Sequence, residues 1–182
     1  RNGGLQRSTD GGTSWTQVAG SGVGVGTTNR AADLELGADG NIYVSFGIFS
    51  TGAIFKSATG ALNTWEDITP TGSFHRIELA TAPSNANRIY AICQGRSSFD
   101  VTDIFRSSNG GNSWTAVTVP DFCDQGSTNV FTRSQAWYDL IAAVDPSNED
   151  VLYVGGVDAL RSDNGGGDDD GNEENDWTQI TS

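Results

Sequence analysis

Ser8-Thr9-Asp10-Gly11-Gly12-Thr13-Ser14-Trp15 is a segment that recurs along the chain and decides its fold. A second clean copy reads Ser107-Ser108-Asn109-Gly110-Gly111-Asn112-Ser113-Trp114, with similar residues at the same offsets. Two altered copies run from Ser57 to Trp65 and from Ser162 to Trp177, so the segment returns about every 50 residues. Such a period is typical of solenoids, propellers and repeat arrays, and it predicts a chain built from one repeated unit.

Each copy of the segment has the pattern of a β-hairpin. Apolar and polar residues alternate before it, as in Ile54-Phe55-Lys56-Ser57. The Asp or Asn at the third position can accept hydrogen bonds from amides of its own loop, and the paired glycines tolerate positive φ. We expect each tryptophan to bury its indole against the neighbouring unit. The residues given this structural role are Ser8, Asp10, Gly12, Trp15, Ser57, Trp65, Ser107, Asn109, Gly111, Trp114, Ser162, Asn164 and Trp177.

Two further strands precede each hairpin, as at 76–80 and 88–92. Four strands in about 50 residues, without a helical apolar period, predict an all-β fold in which each unit is one propeller blade. We expect three complete four-stranded blades and the outer two strands of another, all in a single partial propeller over 1–182. The expected units are a half-blade at 1–18 and blades at 31–70, 74–119 and 136–182, the last with an acidic insertion at 163–176.

The pattern Ser-x-Asp-x-Gly-x-Thr/Ser-Trp resembles the Asp-box, or bacterial neuraminidase repeat, of sialidases, sortilin-type receptors and family 74 xyloglucanases. The resemblance covers almost the whole chain, although the Ser57 copy lacks the carboxylate and the Ser162 copy has a longer loop. It implies that the boxes lie at the blade periphery and act structurally. The stretch 134–158 also resembles secreted and cell-surface propellers of Bacteroidota, many of which are exported by the type IX system.

Size and charge restrict the classes of function. Closed propellers have about four to eight blades, so we expect the 182 residues to belong to a larger propeller, with neighbouring blades as partners. The formal charge of −13 leaves no basic stripe for nucleic acid. There is no apolar run of about 18 residues, so membrane insertion is not expected. The Asp-box and Bacteroidota resemblances imply an extracellular or cell-surface protein, with a glycan or a surface protein as its ligand.

The two cysteines flank one outer hairpin. We predict a disulfide between Cys93 and Cys123, which would stabilise the fold by roughly 3 to 4 kcal/mol if unstrained. Two buried free thiols are the alternative. A disulfide would favour an oxidising compartment.

The acidic insertion at 163–176 carries seven carboxylates. Ca²⁺, which binds six to eight oxygens, would relieve their mutual repulsion, and the candidate ligands are Asp168, Asp170 and Glu173. The spacing differs from that of an EF-hand, and a solvated acidic loop is the simpler alternative. We predict no other cofactor.

Catalytic motifs are scarce. His75 is the only histidine, and no Gly-x-Ser-x-Gly elbow is present. Glycoside hydrolysis needs two carboxylates about 5 to 9.5 Å apart, for which Asp33, Asp139 and Asp158 are candidates. The resemblance to family 74 singles out Asp158, although the surrounding residues lack the Asp-x-Gly-Gly pattern associated with that family.

Trp137 and Tyr138 are candidate ligand-stacking residues. On a strand, adjacent side chains point to opposite faces, so one ring is expected to be core and the other exposed. An exposed ring would suit stacking on a sugar, whereas packing between blades is the alternative.

The sequence as a whole favours a non-catalytic binding or structural module, such as a glycan- or protein-binding adhesin. A xyloglucanase- or sialidase-like glycoside hydrolase fragment is the alternative.

Overall fold

A computed structural model describes residues 3–20, 30–120, 131–167 and 176–181. Within these ranges the chain forms strands joined by turns and loops, and no helix. The strands are β1 Leu5–Arg7, β2 Thr16–Ala19, β3 Ala31–Leu36, β4 Ile42–Phe46, β5 Ala53–Ser57, β6 Glu66–Asp67, β7 Phe74–Ala82, β8 Asn85–Gly95, β9 Val101–Ser107, β10 Thr115–Val117, β11 Ile141–Asp145, β12 Asn148–Gly155, β13 Ala159–Ser162 and β14 Thr178–Gln179.

The strands form three four-stranded sheets and one two-stranded sheet, each in chain order. The sheets are β3-β4-β5-β6, β7-β8-β9-β10, β11-β12-β13-β14 and β1-β2, and all their pairs are antiparallel. Antiparallel neighbours in sequence can be joined by short hairpins, which suits the short repeat. The predicted all-β propeller architecture, with three blades and the outer pair of another, is confirmed.

The first strands of successive blades lie side by side. Strand β3 contacts β7, and β7 contacts β11. The amide of Leu79 donates to Asp33 Oδ2 at 2.8 Å, and Arg76 Nη2 donates to the carbonyl of Leu140 at 3.0 Å. The blades are therefore arranged in rotational order with β3, β7 and β11 innermost.

The apolar core lies between the blades. Tyr43 and Ile54 of the first blade pack against Leu79 of the second, while Tyr90 of the second packs in the cluster that includes Leu152 of the third. All of these side chains are almost fully buried. Each large apolar side chain buried in this way contributes about 1.5 to 3 kcal/mol, so stacking between blades is what holds the sheets together.

One edge of the segment is open. Leu34 and Leu36 are 53% and 67% exposed, because the two-stranded sheet supplies no inner strands among the described residues to cover them. Trp15 is 62% exposed, so the prediction that every hairpin tryptophan packs on a neighbouring blade is wrong for this copy. The physical reason is that the described residues place no blade on that side of Trp15. By contrast, Trp177 is 2% exposed.

Strand direction divides the connections between two ends of the propeller segment. The serine-to-tryptophan hairpins at 8–15, 57–65 and 107–114, and the described residues 162–167 and 176–177 of the fourth, lie at one end, which we call the hairpin end. The connections after β4, β8 and β12 and the turn at 131–140 before β11 lie at the other, which we call the loop end. Within the described ranges, no helix is long and apolar enough to cross a bilayer.

Candidate functional site

The hairpins at the hairpin end use their polar side chains in local bonds. Ser8 Oγ donates to Asp10 Oδ1 at 2.8 Å and accepts the amide of Gly12 at 2.8 Å. Ser14 donates to Asp10 through its amide at 2.9 Å and its hydroxyl at 2.6 Å. These bonds from Ser14, followed by the bond from Ser8, lower the pKa of Asp10 to about 2. The carboxylate thus caps its own loop.

The second clean copy repeats this geometry with an amide in place of the carboxylate. Asn109 Oδ1 accepts from Ser107 Oγ at 3.0 Å and from the amide of Ser113 at 2.9 Å. The amide of Gly111 donates to Ser107 Oγ at 2.9 Å. A negative charge is therefore not required for the fold of this hairpin.

The two altered copies reach similar networks with other residues. In the first, Ser57 Oγ lies 2.5 Å from the hydroxyl of Thr64 and accepts the amide of Gly60. In the second, Ser162 Oγ donates to Asn164 Oδ1 at 2.7 Å, and Asn164 Nδ2 donates to Asp176 Oδ1 at 2.8 Å. Asp176 occupies the role of the serine in the clean copies, although the insertion separates it in sequence.

Two of the tryptophans tie consecutive blades together. Trp114 Nε1 donates to the carbonyl of Ile68 at 2.7 Å, and Trp177 Nε1 donates to that of Thr118 at 3.0 Å. Both acceptors are the first residue after the outermost strand of the preceding blade. Trp65 packs in the cluster between the half-blade and the first blade. The geometry makes these hairpins structural elements of the blade margin.

The loop end carries three adjacent aromatic rings, Phe49, Trp137 and Tyr138, which we call the aromatic surface. The centroids of Phe49 and Trp137 lie 5.3 Å apart, and those of Trp137 and Tyr138 lie 5.1 Å apart. Phe49 and Tyr138 are each more than half exposed, at 54% and 59%. The rings come from two connections, 47–52 and 131–140, so a tertiary contact creates this surface.

The placement of Trp137 and Tyr138 corrects the sequence interpretation. They lie in a turn before β11 rather than on a strand, and the amide of Tyr138 donates to the carbonyl of Gln135 at 2.9 Å. Because a turn does not alternate its side chains across a sheet, the two rings lie side by side instead of on opposite faces.

The connection that carries Phe49 has an unusual backbone. Ile48 and Phe49 have φ of 57° and 59°, a region that costs about 1 to 3 kcal/mol for residues with a side chain. The carbonyl of Ile48 accepts from Arg30 Nη1 at 3.2 Å. A Cβ added at Gly52 would lie 2.2 Å from the carbonyl oxygen of His75, so only glycine allows this close approach to the second blade. Close packing holds the loop in the conformation that exposes Phe49.

Two carboxylates anchor the other connection. Asp158 accepts from Arg133 Nε and Nη2, both at 3.1 Å, and Asp100 accepts from the amide and hydroxyl of Ser134. Arg133 and Ser134 both have positive φ. Both oxygens of Asp158 are therefore occupied in holding the turn that presents Trp137 and Tyr138. This geometry favours a positioning role for Asp158 over the predicted catalytic one.

The other candidate carboxylates differ in their surroundings. Asp33 accepts from two backbone amides, those of Leu34 and Leu79, and so lies within the contact between blades. Asp139 directly follows the aromatic surface, and its Oδ1 is buried with no hydrogen-bond partner among the described residues. Burial raises the pKa of the Asp139 carboxyl. Of the three candidates, Asp139 is the one whose side chain has an oxygen without a hydrogen-bond partner among the described residues.

The remaining predicted sites concern cysteines and metal. Cys93 lies fully buried on β8 and forms no disulfide with another described residue, and burial raises the pKa of its thiol. Cys123 lies outside the described residues, as do Asp168, Asp170 and Glu173. The disulfide and the calcium site therefore stay predictions. Among the residues that the structure does describe, no group of three potential ligands is placed to hold a metal ion.

Three features of the loop end are not predicted from the sequence: Phe49, the anchor Asp100, and a cavity beside Phe49. The only signal for Phe49 was the pair of glycines, Gly47 and Gly52, that bracket it. Nothing in the local sequence connects residue 49 with residue 137, because their contact arises from blade stacking.

Comparison with solved structures supports the fold. Over 87% of its length the chain is similar to a GH74 enzyme of Niastella koreensis, with a TM-score of 0.62 and 24% identity, covering 25% of that chain. It is also similar over 91% of its length to the GH74 xyloglucanase of Xanthomonas campestris, with a TM-score of 0.59 and 21% identity, covering 24% of that chain. YCF48 of Cyanidioschyzon merolae matches over 91% of this chain and 40% of its own, with a TM-score of 0.53 and 13% identity.

These similarities establish a β-propeller fold, and the chain spans about a quarter of the length of the two GH74 enzymes. No protein-family model matches the chain, and a search of curated proteins finds no similar sequence.

Proposed function

We propose that this chain is part of a β-propeller that binds a polysaccharide on its aromatic surface. The observation that carries the proposal is the contiguous array of the exposed rings of Phe49 and Tyr138 with the half-buried ring of Trp137 between them at the loop end. A pyranose ring has an apolar C–H face, which packs on an aromatic face while its hydroxyls stay in water. Exposed apolar patches rimmed by polar groups are typical of interaction sites.

The backbone of the two connections supports this proposal. Four residues with side chains, Ile48, Phe49, Arg133 and Ser134, hold positive φ beside the rings. Such strain persists only where surrounding contacts impose it, and it concentrates at binding sites. Here Gly52, Asp100 and Asp158 supply those contacts. The aromatic surface is thus preorganised, which lowers the entropic cost of binding.

The fold neighbours suggest the ligand class. The Xanthomonas campestris neighbour is described as a xyloglucanase. We propose a β-linked glucan backbone such as that of xyloglucan, whose flat chain would extend across adjacent rings. The Asp-box resemblance and the acidic, glycine-rich composition support a secreted or cell-surface location, and the Bacteroidota resemblance suggests export by the type IX system.

A second candidate function is glycoside hydrolysis. Asp139 favours it, because an aspartic acid with a raised pKa and an unpartnered buried oxygen is suited to donating a proton to a leaving group. Because Asp139 follows Tyr138 in the chain, it would lie near a sugar stacked on that ring. Hydrolysis also requires a second carboxylate on the opposite side of the bond.

The test is a binding titration with xyloglucan oligosaccharides and a parallel assay for released reducing ends. Trp137→Ala should lower affinity at least tenfold, since stacking and the contact with Phe49 are both lost. Trp15→Ala is the matched control, because Trp15 is an exposed tryptophan at the hairpin end. Equal loss in both variants, or no binding by the parent protein, would refute the binding proposal. Product release that Asp139→Asn abolishes would favour hydrolysis.

A further inference from the structure

A cavity of about 300 Å³ opens beside the aromatic surface at the loop end. It lies between two phenylalanine rings, both more than half exposed, and Phe49 belongs to the cavity and to the aromatic surface. Its volume is at the lower limit of small-molecule sites. The residues that line it are Phe49, His75, Arg96, Ser97, Ser98 and Phe99.

The polar groups of this cavity are donors and neutral hydroxyls, with no carboxylate in the lining. This is unusual in a chain with a formal charge of −13. Four other arginines form ion pairs, namely Arg76, Arg88, Arg133 and Arg161. Over the described part of the chain, Arg96 forms none.

The carboxylate that follows Arg96 in sequence is already engaged. Asp100 accepts from Ser134 Oγ at 3.1 Å and from Thr132 Oγ1 at 3.2 Å, in the network that anchors the other connection. The Asp100 carboxylate therefore binds Thr132 and Ser134, and the Arg96 side chain remains exposed at the cavity. The arrangement therefore offers a cation without a protein counter-ion next to a surface suited to sugars.

We infer that this cavity binds the carboxylate of an acidic sugar, so that the glycan on the aromatic surface carries uronic acid residues. The inference rests on the proposed glycan binding and refines its ligand from a neutral β-linked glucan to a β-linked glycan that carries carboxylate groups. A guanidinium presents paired N–H donors that match the two oxygens of a carboxylate. Phe49 would contact a sugar ring on one side, while Arg96 pairs with the charged group in the cavity and the serine hydroxyls meet neighbouring sugar hydroxyls.

The experiment compares a cello-oligosaccharide with the same oligosaccharide oxidised to the carboxylate at C6, by calorimetric titration at low and at high salt. We expect the oxidised form to bind about tenfold more tightly at low salt, with the difference shrinking as salt screens the charges. Arg96→Gln should remove the difference while leaving the affinity for the neutral form unchanged. Arg7→Gln, an equal charge change on exposed strand β1, is the control and should preserve the difference.

The outcomes separate this inference from the proposed function. If the neutral and oxidised oligosaccharides bind equally, the acidic-sugar inference is overturned and glycan binding stands. If neither binds, the proposed function itself fails. A preference that survives Arg96→Gln, or a sulfated oligosaccharide that binds more tightly than the oxidised one, would also overturn the assignment of a carboxylate to this cavity.

Discussion

Replacing Trp177 with alanine should reduce the free energy of unfolding by about 3 to 5 kcal/mol, the range seen for buried aromatic side chains. The side chain is 2% exposed, lies in the cluster between the second and third blades, and donates to the carbonyl of Thr118. Burial of about 250 Å² at about 25 cal/mol per Å² corresponds to about 6 kcal/mol as an upper limit. A compact unfolded state lowers this value by roughly 10 to 40%, to about 4 to 5 kcal/mol, which is the upper part of the expected range.

Trp15→Ala provides the matched comparison, since it removes the same side chain from the same position of a hairpin. Trp15 is 62% exposed, so the same calculation gives about 1 to 2 kcal/mol. Both variants should be unfolded in urea and followed by far-UV circular dichroism, because removing a tryptophan changes the fluorescence signal itself. Equal destabilisation by the two substitutions would refute the reasoning that stacking between blades, rather than the hairpin alone, stabilises the fold.

Three further predictions concern charge and backbone. The folded-state pKa of Asp10 is about 2, below its unfolded value. The stability that Asp10 contributes is therefore present above about pH 4 and is lost as the pH falls towards 2. Asp10→Asn should remove this acid dependence, which melting curves recorded over a range of pH would measure. Burial, followed by the charge of Asp33, raises the pKa of Glu78 to about 7. The stability of the fold should therefore decline as the pH rises from about 4.5 to 7. If melting curves of Glu78→Gln keep this decline, Glu78 is not its cause. Gly52→Ala should displace the loop that carries Phe49 and weaken glycan binding more than stability, which parallel titrations and thermal melts would measure; unchanged affinity would count against a preorganised aromatic surface.

Much of the fold was predictable from local pattern. The Ser107 hairpin forms the expected capping bonds around Asn109, because a short polar side chain and paired glycines determine their own loop. Alternating apolar residues likewise predicted the strands and the three blades. The exposure of Trp15 is not predictable from its hairpin, because the Ser107 hairpin has nearly the same sequence and only the neighbouring blade decides how far the indole is buried.

The candidate site was much less accessible to sequence reasoning. The sequence predicts Trp137 and Tyr138 as sugar-stacking candidates on a strand, whereas Asp100 and Asp158 anchor them in a turn in which Arg133 and Ser134 have positive φ. The family resemblance singles out Asp158 for catalysis, and its pairing with Arg133 favours a positioning role instead.

By itself the sequence determined the repeating unit, because hairpin caps, glycine turns and strand alternation depend on residues within a few positions of one another. Only the tertiary structure decided what the loop end presents. Phe49 meets Trp137, and Arg96 remains free of a carboxylate partner among the described residues, because stacking of the blades brings together connections that are far apart in the chain. Such contacts depend on packing between sheets, which no short-range pattern encodes.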